Sequence, residues 1–237
     1  MRRFLLLSLA LALLAGCGKR TPQFNPGDYV SYQPGNMYVY TGMMGYAEVK
    51  SRLPIEGGTQ FVVVDKDSAG REIARETYVQ KDGRLYWQTF DGTGQGMLSY
   101  TFDPPLPASP FSGTPGEKAF QEGVEIRSDS AGTRLRYRVD MEILPPEDVA
   151  APAGEFPACA RMKAVITYLD PTNAPFINGE AEWWYAPGVG VVKYRAAGTE
   201  GMLEQASING RSYEPPGGKW ENFGQASAPQ EEGDGKH

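Results

Sequence analysis

The stretch 134–143 constrains the fold more than any other part of the chain. Leu135, Tyr137, Val139, Met141 and Ile143 alternate without a break with Arg134, Arg136, Arg138, Asp140 and Glu142. A period of two places the apolar set on one face of a strand and the charged set on the other, whereas a helix would scatter both around its axis. One packed face and one wet face is the pattern of an antiparallel sheet lying on a core.

Turn chemistry divides the rest of the chain into partners for that strand. Residues 60–64 lead into Asp65-Lys66-Asp67-Ser68-Ala69-Gly70, and 71–80 run back. Asp82-Gly83 is a two-residue hairpin signal ahead of 85–90. Strands are also expected at 97–102, 124–127, 158–169, 181–186, 191–195 and 202–209, for a total of about ten. The expected fold is therefore all-β and mainly antiparallel: a single curved sheet, a half-barrel or a small barrel. Residues 117–121 (EKAFQ) read as one helical turn. Residues 103–116, with five prolines, read as a long irregular connection that covers one end of the sheet through Leu106 and Phe111.

The N-terminus addresses the chain to a membrane. Arg2 and Arg3 precede an apolar run over 4–14 broken only by Ser8, and Leu14-Ala15-Gly16-Cys17 closes it. The run is far short of the roughly 20 residues that span a bilayer, and its order is that of a secretory signal. Its end resembles the bacterial lipobox. That resemblance implies cleavage after residue 16, acylation of Cys17, and membrane attachment through the acyl chains. Gly18 in place of Asp favours the periplasmic face of an outer membrane if the cell is Gram-negative. The reading divides the chain into a signal peptide (1–16), a lipidated tether (17–36), an antiparallel β domain (37–213) and a disordered acidic tail (214–237).

Composition excludes several activities. The formal net charge is −6, and loss of Arg2 and Arg3 with the signal makes it more negative. An acidic surface opposes nucleic acid as a partner. The one histidine is His237, at the C-terminus, which removes Ser-His-Asp catalysis and histidine-rich zinc sites. With Cys17 acylated, Cys159 has no disulfide partner in the chain and reads as a small core residue. Asp65-x-Asp67-x-Ala69-Gly70 with Glu76 approaches a calcium loop, but Ala69 stands where a ligand oxygen belongs and the flanks are strands, so the acids read as turn residues. Arg134, Arg136 and Arg138 read as a solvated face shared with Asp140 and Glu142. Glu180, Glu182 and Asp170 do not single out a glycosidase pair. No enzyme, metal or cofactor is expected.

The most distinctive stretch is Trp183-Trp184-Tyr185-Ala186-Pro187-Gly188-Val189-Gly190-Val191-Val192-Lys193, preceded by Pro152-Ala153-Gly154-Glu155-Phe156-Pro157-Ala158-Cys159. In a strand, Trp183 and Tyr185 face one side and Trp184 the other. Together these segments resemble a family of uncharacterised bacterial lipoproteins with a "PAG-x-F … WYAPGVGLVK" signature. That family is similar in outline to the curved-sheet lipoprotein carriers of the LolA/LolB type. The resemblance spans about residues 147–195 and implies no catalytic set; the chain also lacks helices of the kind that plug those carriers' sheets. The expectation is a non-enzymatic envelope lipoprotein that binds another envelope protein or glycan. The alternative is a binder of lipid or another hydrophobic ligand. Tyr86, Trp87, Tyr137, Trp183 and Tyr185 are the candidate ligand face. A filled core suits the first reading, and an open apolar cavity the second.

Overall fold

A computed structural model describes residues 23–42, 45–93, 98–171, 178–196 and 198–215. Within them lie thirteen strands and one 3-10 turn, Pro26–Tyr29. The strands are β1 (Met37–Tyr40), β2 (Gly45–Ile55), β3 (Gly58–Asp67), β4 (Glu72–Lys81), β5 (Arg84–Gly92), β6 (Ser99–Pro107) and β7 (Lys118–Arg127). They continue with β8 (Arg134–Ala151), β9 (Gly154–Tyr168), β10 (Gly179–Ala186), β11 (Gly190–Ala196), β12 (Thr199–Ile208) and β13 (Arg211–Tyr213). Each pairs antiparallel with the next, and β12 also pairs with β1 through Tyr38↔Ala206 and its neighbours. The result is a closed up-and-down barrel of twelve strands, with β13 added beside β12. Closure removes the two open edges that a curved sheet or half-barrel would leave.

The alternating strand sets the pattern of its wall. Leu135, Tyr137, Val139, Met141 and Ile143 are all buried, and across β9 the register Val139↔Ile166, Met141↔Ala164 and Ile143↔Met162 stacks buried residue on buried residue. The outward charges meet one another: Arg138 binds Asp140 at 2.7 Å and Arg136 binds Asp170 at 2.8 Å. Two inward tyrosines need glycine across the ladder. Tyr137 pairs with Gly123 and Tyr194 with Gly201, and a Cβ at either glycine would fall inside the facing ring.

Several expectations change. Residues 117–121 form no helical turn: Glu117 ends the preceding connection, and Lys118 to Gln121 are strand, continuing the ladder opposite Val139 to Glu142. The proline-rich connection begins later than expected: residues 103–107 finish β6, and Asp103 still pairs with Val124. Leu106, expected in that connection, lies in β6, and both it and Phe111 are buried. The ten expected strands become thirteen through β1, β2 and β13. In β2 a register shift between Val49 and Ser51 breaks the alternation that would have announced it.

The segment read as tether is, from Phe24 onward, part of the folded body. Phe24 bridges to Gly113, Phe24 and Tyr29 are buried, and the Tyr32 ring lies edge-on to Tyr38, Phe61 and Tyr78. This stretch plugs the end of the barrel at which the β4–β5 and β10–β11 turns lie; Gly188 N–H donates to Asp28 O, for example. Residues 1–22, with Cys17, and residues 216–237 lie outside the described residues.

Past Ile143, the β8–β9 hairpin leaves the barrel wall through register shifts between Leu144 and Val149, and its tip meets β11 and β12. Ala153 N–H donates to Leu203 O. Val149, Phe156 and Cys159 join Trp184, Val192 and Leu203 in one buried cluster. Cys159 is fully buried in it; burial pushes its thiol up to about 11, and its Sγ lies 3.3 Å from Phe156 O. The core role read for this residue fits that environment.

Candidate binding cavity

The barrel is not filled. Its interior holds a cavity of about 250 Å³ between the plug residue Tyr32 and the walls formed by β4, β5, β6, β8, β9, β10 and β11. That is far above the ~10–15 Å³ one water needs, and just under the ~300 Å³ at which drug-sized pockets begin. Tyr32, Tyr78, Trp87, Trp183 and Tyr185 supply aromatic walls, while Val139, Ala164, Ile166 and Val191 supply aliphatic ones. A void of about 40 Å³ adjoins it behind Tyr29, Tyr38 and Tyr40.

Local irregularity in the sheet builds the aromatic side. Tyr78 pairs with Trp87 and Thr77 with Thr89, so Gln88 is an extra residue in β5. A bulge of this kind resets the alternation. It therefore brings both Trp87 and Phe90 to the face shared by Tyr78 and Glu76. Trp87 stacks at 6.3 Å on Tyr78 and stands perpendicular to Phe90. On the opposite wall β10 stays regular against β9. Trp183 and Tyr185 both line the cavity, as the sequence predicted. Trp184 points away, under Lys193 at 4.8 Å and Arg161 at 5.2 Å.

The five candidate aromatics therefore divide. Trp87, Trp183 and Tyr185 converge on one cavity. Tyr137 does not line it: the ring packs edge-on to Phe102 at 5.9 Å, and its hydroxyl donates to Pro104 O at 2.9 Å. Tyr86 lies on the other side of β5 from its neighbour Trp87, with the Arg84 guanidinium 5.3 Å over its ring. Two consecutive strand residues cannot share a face without a bulge between them, and here the bulge comes one residue later.

The sequence reading missed Glu76, the one charged side chain that lines the cavity among the described residues. Glu76 pairs with Val63 across β3, which sets its side chain inward beside Asp65. Tyr78 Oη donates to Glu76 Oε2 at 2.5 Å, and no other hydrogen bond reaches this carboxylate among the described residues. Burial, then the charge of Asp65, raises Glu76 to about 8 against the pull of the Tyr78 hydrogen bond. Burial likewise lifts Asp65 to about 6. The Tyr32 and Tyr78 phenols are pushed well up by burial too.

A second buried acid shows what a satisfied one looks like. Glu125 faces the interior near the far end of the wall, where Arg127 binds it at 2.6 Å and Tyr168 donates to its other oxygen. Other acids considered in the sequence, Asp65 apart, are also paired. Glu180 binds Lys163 at 2.6 Å, Glu182 binds Arg161, and Asp67 closes its turn by accepting from Ala69 N, Arg71 N and Arg71 Nε. A signal for Glu76 did exist. In β4, Ala74, Glu76 and Tyr78 share the inner face while Ile73 lies 46% exposed on the other, an inversion of the usual apolar-inside rule.

No family model matches the chain, and no curated protein matches it. Among solved structures, a protein from Bacteroides fragilis described as exported and of YmcC-like fold aligns with a TM-score of 0.50 and 18% identity, over 75% of this chain and 98% of its own. A protein from Parabacteroides distasonis described as a lipoprotein aligns with a TM-score of 0.46 and 15% identity, over 75% of this chain and 97% of its own. At these identities the first likeness is one of fold: the barrel is similar to the YmcC-like fold.

Proposed function

We propose that this protein is a non-enzymatic lipoprotein of the bacterial envelope that holds a small hydrophobic ligand inside its barrel. The observation that carries the reading is the unfilled apolar cavity walled by Trp87, Trp183 and Tyr185. Protein interiors pack as densely as organic crystals, so a void of about 250 Å³ gives up dispersion contacts that a ligand would restore. Placement in the envelope rests on the signal sequence that ends just before Cys17, and the description of the Bacteroides fragilis neighbour as exported agrees with it. The test is native mass spectrometry, with solvent extraction, on the protein drawn from an envelope fraction. A stoichiometric small molecule supports the reading; an apo mass that gains nothing when envelope lipid extract is added overturns it.

A second reading, docking to another envelope protein, is favoured by a groove of about 470 Å³ on the outside. It is lined by Phe156 and Pro157 of the β8–β9 hairpin, Ala186 at the end of β10 with Pro187 after it, and Tyr213 of β13. Both halves of the distinctive signature meet there.

A further inference from the structure

We propose that the cavity selects a small apolar amine, with its ammonium seated against Glu76 and its hydrocarbon among Trp87, Trp183 and Tyr185. This inference rests on the cavity reading above and names the chemical class of the occupant. Three observations lead to it. The walls are apolar apart from one carboxylate and a few phenol tips, so the ligand is mostly hydrocarbon. Glu76 Oε2 already accepts from Tyr78, which leaves Oε1 without a hydrogen bond among the described residues while the side chain lines the cavity. Finally, Asp65 on β3 stands beside Glu76 and makes no hydrogen bond or ion pair to any described residue.

The groups that face Glu76 are Asp65 from β3, Tyr78 on its own strand and Tyr32 from the plug; each is acidic or neutral. A buried carboxylate with no cation beside it is costly. The protein meets this by keeping Glu76 protonated when empty, since its carboxyl is raised to about 8. An ammonium supplies the missing charge and hydrogen-bond donors together, and a charge-assisted bond in a dry site is the strong kind. An inorganic cation would leave the hydrocarbon walls unused, and a fatty acid would bring a third carboxylate to two.

The experiment compares two probes of equal length, n-octylamine and n-octanol. They are titrated at pH 7 into the full mature chain in lipid nanodiscs, with empty nanodiscs as reference, and followed by fluorescence of Trp87 and Trp183 and by calorimetry. Octylamine carries a positive charge at this pH, like a lysine. It should bind roughly tenfold or more tighter than octanol, as expected for one hydrogen bond to a charged group. Glu76→Gln should abolish the difference while octanol binding stays. Calorimetry of the unaltered protein in buffers of different ionisation enthalpy gives a readout that needs no variant: octylamine binding should release a proton as Glu76 ionises. Equal affinity for the two probes, or no proton release, overturns the amine assignment and leaves the cavity reading standing. Failure of both probes to bind takes the cavity reading down as well.

Discussion

The β8–β9 wall and the β3–β5 wall enclose the same interior by opposite rules. On β8 and β9 every inward residue from Val139 to Ile143 and from Met162 to Ile166 is apolar and buried, the register is unbroken there, and the charges outside are paired. On β3 to β5 the ladder is interrupted at Asp65/Lys66, Thr77/Tyr78 and Trp87/Thr89, an acid points in, and Ile73 points out. The first wall obeys every local preference and so holds the barrel together. The second departs from them at several positions, and such departures gather where a protein binds or reacts.

Substitutions should separate the two walls. The largest effect belongs to the regular one. Ile143 is fully buried, so Ile143→Ala should cost about 2–5 kcal/mol, read as a fall in denaturation midpoint with no selective change in ligand binding. Next comes the pH dependence of the irregular wall. Glu76 is raised in the folded state above its ordinary carboxyl value of 4.5, to about 8. Its neutral form therefore contributes stability that is full below pH 4.5 and is lost as pH climbs through 8, on the order of a few kcal/mol. Asp65 adds a loss of the same sign between 3.8 and about 6. Denaturant midpoints across pH 4 to 9 should fall steadily, and Glu76→Gln should remove most of the slope above pH 6. A slope unchanged in that variant would put the titrating group elsewhere.

A smaller stability effect with a large binding effect is expected at Ala164, which is buried and lines the cavity. Ala164→Leu should fill the space, abolish octanol and octylamine binding, and change stability by less than the ~1–3 kcal/mol typical of overpacking, because the room exists. The smallest effect is at the outer face of β8. Arg138→Ala removes an exposed pair with Asp140 and should stay within about 0.5 kcal/mol in thermal melts.

What could be read from the sequence follows the same division. Where local pattern and tertiary packing agree, as from Leu135 to Ile143, the strand, its inner face and its solvent face were legible. Trp183 and Trp184 were assigned to opposite sides for the same reason. β2, whose alternation is shifted at Lys50, was not expected at all, and in β5, expected at 85–90, the extra residue Gln88 hid which side chains face inward. Tyr86 was grouped with Trp87 because aromatic character is visible in a sequence and facing is not. Glu76 was missed because an acid in a strand reads as solvated until the neighbouring strands show which way it points. The all-β antiparallel fold was legible, and a small barrel was among the forms expected. The choice between it and an open sheet turns on the pairing of β1 with β12, which depends on curvature accumulated over every strand between them.

That seam has a consequence for how the molecule comes into being. Met37 to Tyr40 must find Leu203 to Ser207, so the contact that completes the fold joins segments near opposite ends of the sequence. Such long-range pairing makes folding slow, because loop-closure entropy is lost before the contact repays it. A nascent chain still lacking β12 would present bare backbone donors and acceptors along both β1 and its last strand, the surface on which sheets aggregate. A truncation anywhere before residue 199 should therefore give an insoluble product rather than a smaller barrel.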